Sequence, residues 1–238
     1  MAEIMRLDRF ISSQRGDISR SDVRKLCSAK RVEVNGSCKV RSDMKINAAE
    51  DDVRLDGERI EYKKFIYIML NKPQGVVCST RDGLSPTVLS LIPENLRRSG
   101  LFPAGRLDKD TEGFVLITDD GELAHRILSP KNHVPKRYYV RLEKPLEEGY
   151  EQLFEQGITL SDGVKCMPAR LERAESEYTC FVTLNEGMFH QIKRMFEALG
   201  NKVSYLKRIS IGGIVLDEKL ALGECIEIMH KEIKKING

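Results

Sequence analysis

Asp108 stands in Gly105-Arg106-Leu107-Asp108, is followed by Asp110-Thr111-Glu112-Gly113, and leads into the apolar run Phe114-Val115-Leu116-Ile117-Thr118. An acid beside an arginine, between glycines and at the foot of a buried strand, sits where proteins mount reactive groups on a rigid support. Most acids are solvated surface, so the neighbours decide. With a cation to hold it ionised, a lone carboxylate can serve as nucleophile or base at a sugar carbon. A candidate cation lies in Glu186-Gly187-Met188-Phe189-His190-Gln191-Ile192-Lys193-Arg194-Met195, where a short loop enters a helix. Adjacent helical residues point about a hundred degrees apart, so only one of Lys193 and Arg194 can face a given pocket. Two ordinary surface cations would give the same pattern. In Lys136-Arg137-Tyr138-Tyr139-Val140, strand alternation sends Tyr138 and Val140 to one face and Arg137 and Tyr139 to the other. Tyr138 then either stacks on an extruded base or packs among its neighbours.

Other chemistries fit less well. Asp119-Asp120-Gly121 reads most simply as a turn that caps a helix, since Asp favours the N-cap and Gly the turn. The acids Asp108, Asp110, Asp119 and Asp120 lack calcium-loop spacing. His125, His133 and His190 fall on separate elements without the spacing of zinc ligands. No G-x-S-x-G, P-loop or G-x-G-x-x-G occurs, which argues against the common hydrolase, nucleotide and dinucleotide sites. The expectation is an acid that works with neither metal nor cofactor.

The elements that must hold these residues divide the 238-residue chain in two. With 41% apolar and 32% charged residues it can bury a core and stay soluble. Six scattered cysteines without a C-x-x-C pair, and no signal-like start, point to a reducing, cytoplasmic setting. Residues 1–45 hold eleven Lys/Arg against six Asp/Glu, so 11 − 6 leaves +5 there and, from +3 overall, −2 on the rest. A basic module on a near-neutral body suits docking to a polyanion. Within it, Met5–Ile11 has helical spacing and Gly16-Asp17-Ile18-Ser19 breaks the pattern. Ser19 with Asp22 then caps a second helix, with Val23, Leu26 and Cys27 on one face and Arg20, Arg24, Ser28 and Arg31 on the other. Val32-Glu33-Val34, Asn35-Gly36 and Ser37–Val40 predict a hairpin, and Val53–Leu55 with Ile60 a second strand pair. Residues 61–64 read as a linker between a domain at 1–60 and another at 65–238. In the second, strands are expected at Phe65–Leu70, Gly113–Thr118, Arg137–Leu142, Tyr178–Leu184 and Gly213–Leu216. Helices are expected at Gly121–Leu128, Leu146–Glu155 and His190–Leu199. Alternation without regular βαβ spacing favours an α+β fold around a mixed, largely antiparallel sheet flanked by helices.

The first sixty residues resemble the S4 RNA-binding domain through Arg6-Leu7-Asp8, Ser19-Arg20-Ser21 and Arg31-Val32-x-Val34-Asn35-Gly36. That implies contact with structured RNA, here through Arg6, Arg20, Arg24, Lys30 and Arg31. The segments at Gly105–Gly113, Lys136–Val140 and Glu186–Met195 appear in the order seen in RNA pseudouridine synthases. More closely, the chain resembles the RsuA-type family of bacterial small-subunit ribosomal RNA enzymes. Further matches are Leu70-Asn71-Lys72-Pro73-x-Gly75, Asp120-Gly121-Glu122-Leu123, His125-Arg126, Ser129-Pro130 and Arg208-x-x-Ile211-Gly212-Gly213. The resemblance implies a cofactor-free isomerisation of a flipped-out uridine in 16S ribosomal RNA or a small-subunit assembly intermediate. Asp108 would be the catalytic carboxylate, Tyr138 would lie against the uracil, Lys193 would pair with Asp108, and Arg106 would fill the gap in the RNA stack. Relatives often carry Arg where this chain has Lys193, which keeps the charge but not the bidentate fork. A 23S target, or a non-catalytic RNA-binding or assembly factor, is the alternative. The protein is expected to act as a monomer, away from membranes.

Overall fold

The computed structural model describes residues 3–237. It separates into two compact units. One runs through Ile66 and also takes in Ile92–Leu101; the other comprises Tyr67–Leu91 and everything from Phe102 on.

In the first unit, β1 (Ile4–Arg6) leads into α1 (Leu7–Gln14), and α2 (Arg20–Ser28) follows. The capping box at Ser19 and Asp22 forms: Asp22 N–H donates to Ser19 Oγ at 3.2 Å and Ser19 N–H donates to Asp22 Oδ2 at 3.3 Å. The first helix begins later than its apolar spacing predicts. Residues 4–6 instead form a strand paired antiparallel with β3 (Lys45–Asn47), Met5 opposite Ile46. The reason is local: the Leu7 and Asp8 amides donate to Met44 O (2.9 Å) and Ser42 O (2.8 Å), so the chain is already tied to a neighbour when the helix starts.

The hairpin expected at 32–40 is also corrected. Asn35 and Gly36 take positive φ as such a turn requires, but only Val34 and Ser37 bridge before the chain departs. β2 (Val32–Val34) pairs instead with β4 (Val53–Leu55), which pairs in turn with β5 (Glu58–Arg59). Buried Val32 and Val34 need apolar partners, and Val53 and Leu55 supply them where Ser37 and Lys39 cannot. These residues share one core with Leu7, Phe10, Ile11, Val23 and Cys27. The segment expected to link two domains packs on that core too, since Tyr62 stacks on Phe10 with ring centres 6.0 Å apart.

The second unit is built on a nine-stranded sheet whose main path runs β10-β11-β9-β12-β8-β6-β14. Its strands are β6 (Tyr67–Lys72), β7 (Phe102–Pro103), β8 (Glu112–Thr118), β9 (Lys136–Leu142), β10 (Arg170–Arg173), β11 (Thr179–Leu184), β12 (Val203–Ile211), β13 (Ile214–Val215) and β14 (Cys225–Glu227). The helices are α3 (Gly121–Leu128), α4 (Tyr150–Gln156), α5 (Gln191–Ala198) and α6 (His230–Ile233). The fold is α+β, as the alternation predicts, and the sheet is mixed and largely antiparallel. Its single parallel pairing among the described residues joins β12 to β8. None of the described helices is long and apolar enough to cross a membrane.

That parallel pairing depends on Gly113. A Cβ built there would lie 2.2 Å from the carbonyl oxygen of Arg208, and Gly113 adopts φ of 102°. Both features demand glycine. Gly113→Ala is expected to destabilise the fold by about 3 kcal/mol or more, adding backbone strain to a clash that cannot be relieved by moving a side chain. Denaturant unfolding of the two proteins measures it; an unchanged midpoint would show that β8 and β12 can part without cost.

Candidate active site

Asp108 lies on the turn between β7 and β8, which backbone and side-chain hydrogen bonds anchor on both sides. Ala104 N–H donates to Leu116 O (2.7 Å), and Thr111 N–H closes the turn onto Asp108 O (3.1 Å). The Leu107 amide donates to the Sγ of buried Cys78 at 3.3 Å. From below, Lys72 is wholly buried and donates to Thr111 O (2.8 Å), Pro73 O (2.9 Å) and Lys109 O (3.3 Å). Burial lowers the pKa of that ammonium, while nearby acids, Asp110 and Asp108 among them, act in the opposite sense. Its donors are spent on carbonyls, so Lys72 fixes the shape of the turn that presents Asp108.

The partner of Asp108 arrives from α5. Ile192, Met195 and Phe196 bury one face of this helix, and Phe196 meets Phe154 of α4 with ring centres 5.1 Å apart. The rotation this imposes sends Lys193 and Arg194 to different acids. Lys193 Nζ donates to Asp108 Oδ2 at 3.1 Å and to Asp110 Oδ1 at 2.6 Å, whereas Arg194 pairs with Asp162. Burial alone would lower the Lys193 pKa, but the hydrogen bonds to Asp110 and Asp108 outweigh it and hold the ammonium above its ordinary range. Asp110 shifts the other way: burial opposes its charge, and Lys193 keeps its carboxyl below the usual range.

Two members of this cluster were not anticipated as site residues. One is Asp110, the second acid on Lys193. The other is His190, whose Nε2 lies 3.4 Å from Asp108 Oδ1. His190 is the N-cap of α5 and sits in the left-handed region at φ 50°, ψ 30°. Such strain in a non-glycine residue gathers where a site needs one geometry. The turn before it is held by Glu186, which accepts from Gln191 Nε2 (2.6 Å) and from the Met167 amide (2.8 Å). The signal for His190 was its place in the Glu186–Met195 segment, but a lone histidine without ligand spacing carries little weight in sequence.

Asp108, Glu186, His190 and Gln191 border a cavity of about 600 Å³. Its lining includes Arg106, Asp108, Tyr138, His190, Leu206 and Arg208. Tyr138 is buried on β9, directly opposite Arg208 of β12 and Val182 of β11. The predicted alternation holds, with Tyr138 and Val140 buried and Arg137 and Tyr139 less so. Arg106 is exposed at the rim. Asp120 is a structural acid: Oδ1 accepts the Leu123 amide (3.0 Å), capping α3, and Oδ2 accepts the Tyr67 hydroxyl (2.8 Å). Among the described residues, no three His, Cys, Asp or Glu side chains converge as a metal site would require.

In the first unit the basic residues differ in how free they are. Arg6 forks onto buried Asp8 through Nε (3.1 Å) and Nη2 (2.8 Å), and Arg20 reaches the same carboxylate at 3.1 Å. Arg31 forks onto Asp56 at 2.7 and 2.6 Å. Arg24 and Lys30 are exposed, and neither makes an ion pair among the described residues.

Comparison with known proteins adds the relatives. Residues 66–198 match the family described as RNA pseudouridylate synthase, and residues 5–44 match the S4 domain. The chain is 42% identical to the uncharacterized RNA pseudouridine synthase YtzG of Bacillus subtilis, over 98% of each chain. It is 43% identical to ribosomal small subunit pseudouridine synthase A of Haemophilus influenzae, over 98% of this chain and 99% of that one. A solved pseudouridylate synthase structure superposes with a TM-score of 0.68 at 42% identity, covering 98% and 99% of the two chains.

Proposed function

This chain belongs to the RNA pseudouridylate synthase family, and from that premise we propose that it isomerises a uridine of small-subunit (16S) ribosomal RNA, with Asp108 as the catalytic carboxylate. The observation that carries the reading is the Lys193–Asp108 pair, 3.1 Å apart at the edge of a cavity floored by Tyr138. A base inside a helix cannot be reached, so the target uridine must leave the stack to enter the cavity. Tyr138 offers its ring to the uracil, and exposed Arg106 takes the space the base leaves behind. Asp108, fixed by its hydrogen bond from Lys193, acts at the junction of ribose and base. The C1′–N1 bond breaks, the uracil turns in the cavity, and a C1′–C5 bond forms while the C5 proton departs. The protein's part in this is chiefly placement, because both reacting fragments stay enclosed between steps.

Substrate choice belongs to the other unit. Arg6, Arg20, Arg24, Lys30 and Arg31 hold the RNA backbone, with Arg24 and Lys30 contributing the charge not already committed to acids. The small-subunit target follows from the Haemophilus influenzae relative and others of the same name in Yersinia pestis and Escherichia coli, 44% and 41% identical. A cytoplasmic monomer meeting ribosomal RNA during assembly fits this work.

The test is direct. Unmodified small-subunit and large-subunit ribosomal RNA are incubated separately with the protein, and pseudouridines are mapped chemically. A discrete new pseudouridine in the small-subunit RNA is expected. One formed only in large-subunit RNA would overturn the target, and none in either, as free RNA or as ribonucleoprotein, would overturn the enzymatic reading.

A further inference from the structure

Two cations lie under the cavity with no acid paired to them among the described residues. Arg208 on β12 is 3% exposed and Lys136 on β9 is 8% exposed. Arg208 sits directly across from Tyr138, and Lys136 across from Ile211, so both belong to the sheet face that floors the cavity. The acids that border this cavity are otherwise engaged. Asp108 is taken by Lys193, and Glu186 by Gln191 and the Met167 amide.

Their hydrogen bonds leave capacity unused. Arg208 donates from Nε to Phe114 O at 2.8 Å and, at the limit of reach, from Nη1 to Arg106 O at 3.5 Å; its buried Nη2 has no partner. Lys136 Nζ donates to Val134 O (2.9 Å) and Ile127 O (3.3 Å), two bonds from a group with three donors. Burial pulls Lys136 down to about 8, and the positive charge of Arg208 adds to that. Cations this deep are costly without a counter-charge. A guanidinium kept only to brace carbonyls would be expected to satisfy all its donors. The orphaned Nη2 and the missing acid point to something that comes and goes.

We propose that Arg208 and Lys136 bind the carbonyl edge of the uracil while it is detached from the ribose, and stabilise the negative charge it then carries. The proposal rests on the isomerase reading. When C1′–N1 breaks, the bonding pair stays with the ring and spreads onto O2 and O4, and the electron-poor C1′ faces Asp108. After rotation C5 returns a pair to C1′. One proton leaves C5 and one is taken up at N1, so the nucleoside keeps its composition. Donors pre-positioned where charge develops lower such a barrier most in an enclosed site.

The experiment compares two substrate RNAs, identical except that one carries 5-fluorouridine at the target. Fluorine withdraws electrons and stabilises the ring anion on its own, so cleavage should lean less on the protein. Single-turnover loss of the original nucleoside is followed for wild type, Arg208→Gln, Arg208→Lys and Lys136→Met, with melting temperatures as the check on folding. For Arg208→Gln a fall of about 10²-fold is expected with uridine. A distinctly smaller fall is expected with 5-fluorouridine, with Arg208→Lys between wild type and Arg208→Gln. Should Arg208→Gln not fold, Arg208→Lys and Lys136→Met carry the same comparison. Equal losses on both RNAs, or no loss in any folded variant, would overturn the proposal and leave the isomerase reading intact. Failure of the wild type on both RNAs would overturn the isomerase reading itself, and the proposal with it.

Discussion

Asp108→Asn is expected to lower the single-turnover rate of pseudouridine formation by about 10⁴-fold or more, the scale on which loss of a reacting group acts. Asparagine keeps the shape of aspartate and removes its charge and nucleophilicity, so packing around the turn is retained. The fold should persist for a second reason. Lys193 keeps its 2.6 Å bond to Asp110, and the backbone bonds that shape the turn do not involve the Asp108 side chain. RNA affinity should hold or rise slightly, since one negative charge leaves the cavity proposed to receive the uridine. The measurement pairs rapid-quench kinetics with a melting curve and a binding titration. A folded variant within about tenfold of wild type would place the reacting group elsewhere, because general acid–base assistance alone spans 10²–10⁴.

Lys193→Met is expected to cost about 10²–10³-fold in the same assay, with Lys193→Arg recovering most or all of it. The side chain spans two carboxylates, so its loss removes the attraction to Asp108 and leaves Asp108 and Asp110 to repel each other across the turn. Small displacements of a reacting group are expensive in rate. Stability should hardly move, by about 1 kcal/mol or less, because Asp110 is 69% exposed and such pairs are screened by water. A large rate loss with a small stability loss separates positioning from structural support. Lys193→Arg offers a planar fork, and a rate at or above wild type would show that lysine is a tolerated substitute there. If methionine supports full activity, the ion pair does not hold Asp108 in its working geometry.

The residues whose local chemistry is strong were legible in sequence. Ser19 and Asp120 mark helix starts because their side chains accept from amides three residues on, and Asp22 because its carboxylate reaches back to the Ser19 amide; all three bonds form in the structure. Tyr138 was placed on the correct face by alternation alone. The central strand β12 was not legible. Bulges near Val203 and Arg208 break its alternation, and Lys207-Arg208 looks like surface, although Arg208 is buried. Edge strands such as β10 and β14 are too short to carry a pattern. The hairpin at 32–40 failed because a good turn does not choose the partner strand; the apolar face does. The pairing of Lys193 with Asp108 bridges 85 positions, and only the likeness to a family suggested it. Nothing local distinguishes Lys193 from Arg194 until the buried face of α5 is known.

The bonds that fix the turn carrying Asp108, and the strand it leads into, share this long reach. Lys72 to Thr111 spans 39 positions and Arg208 to Phe114 spans 94. Loop closure on that scale is an entropic cost met only when strands far apart in the chain have found one another. The site is therefore a late event in the life of each newly made chain. On the proposed assignment, a molecule that has formed its helices and its N-terminal module can already hold RNA, yet has no organised Asp108 with which to cut a glycosidic bond. With Asp108 as the proposed reacting group, chemical competence waits for the whole sheet, and an unfinished chain is expected to leave the nucleosides it touches unchanged.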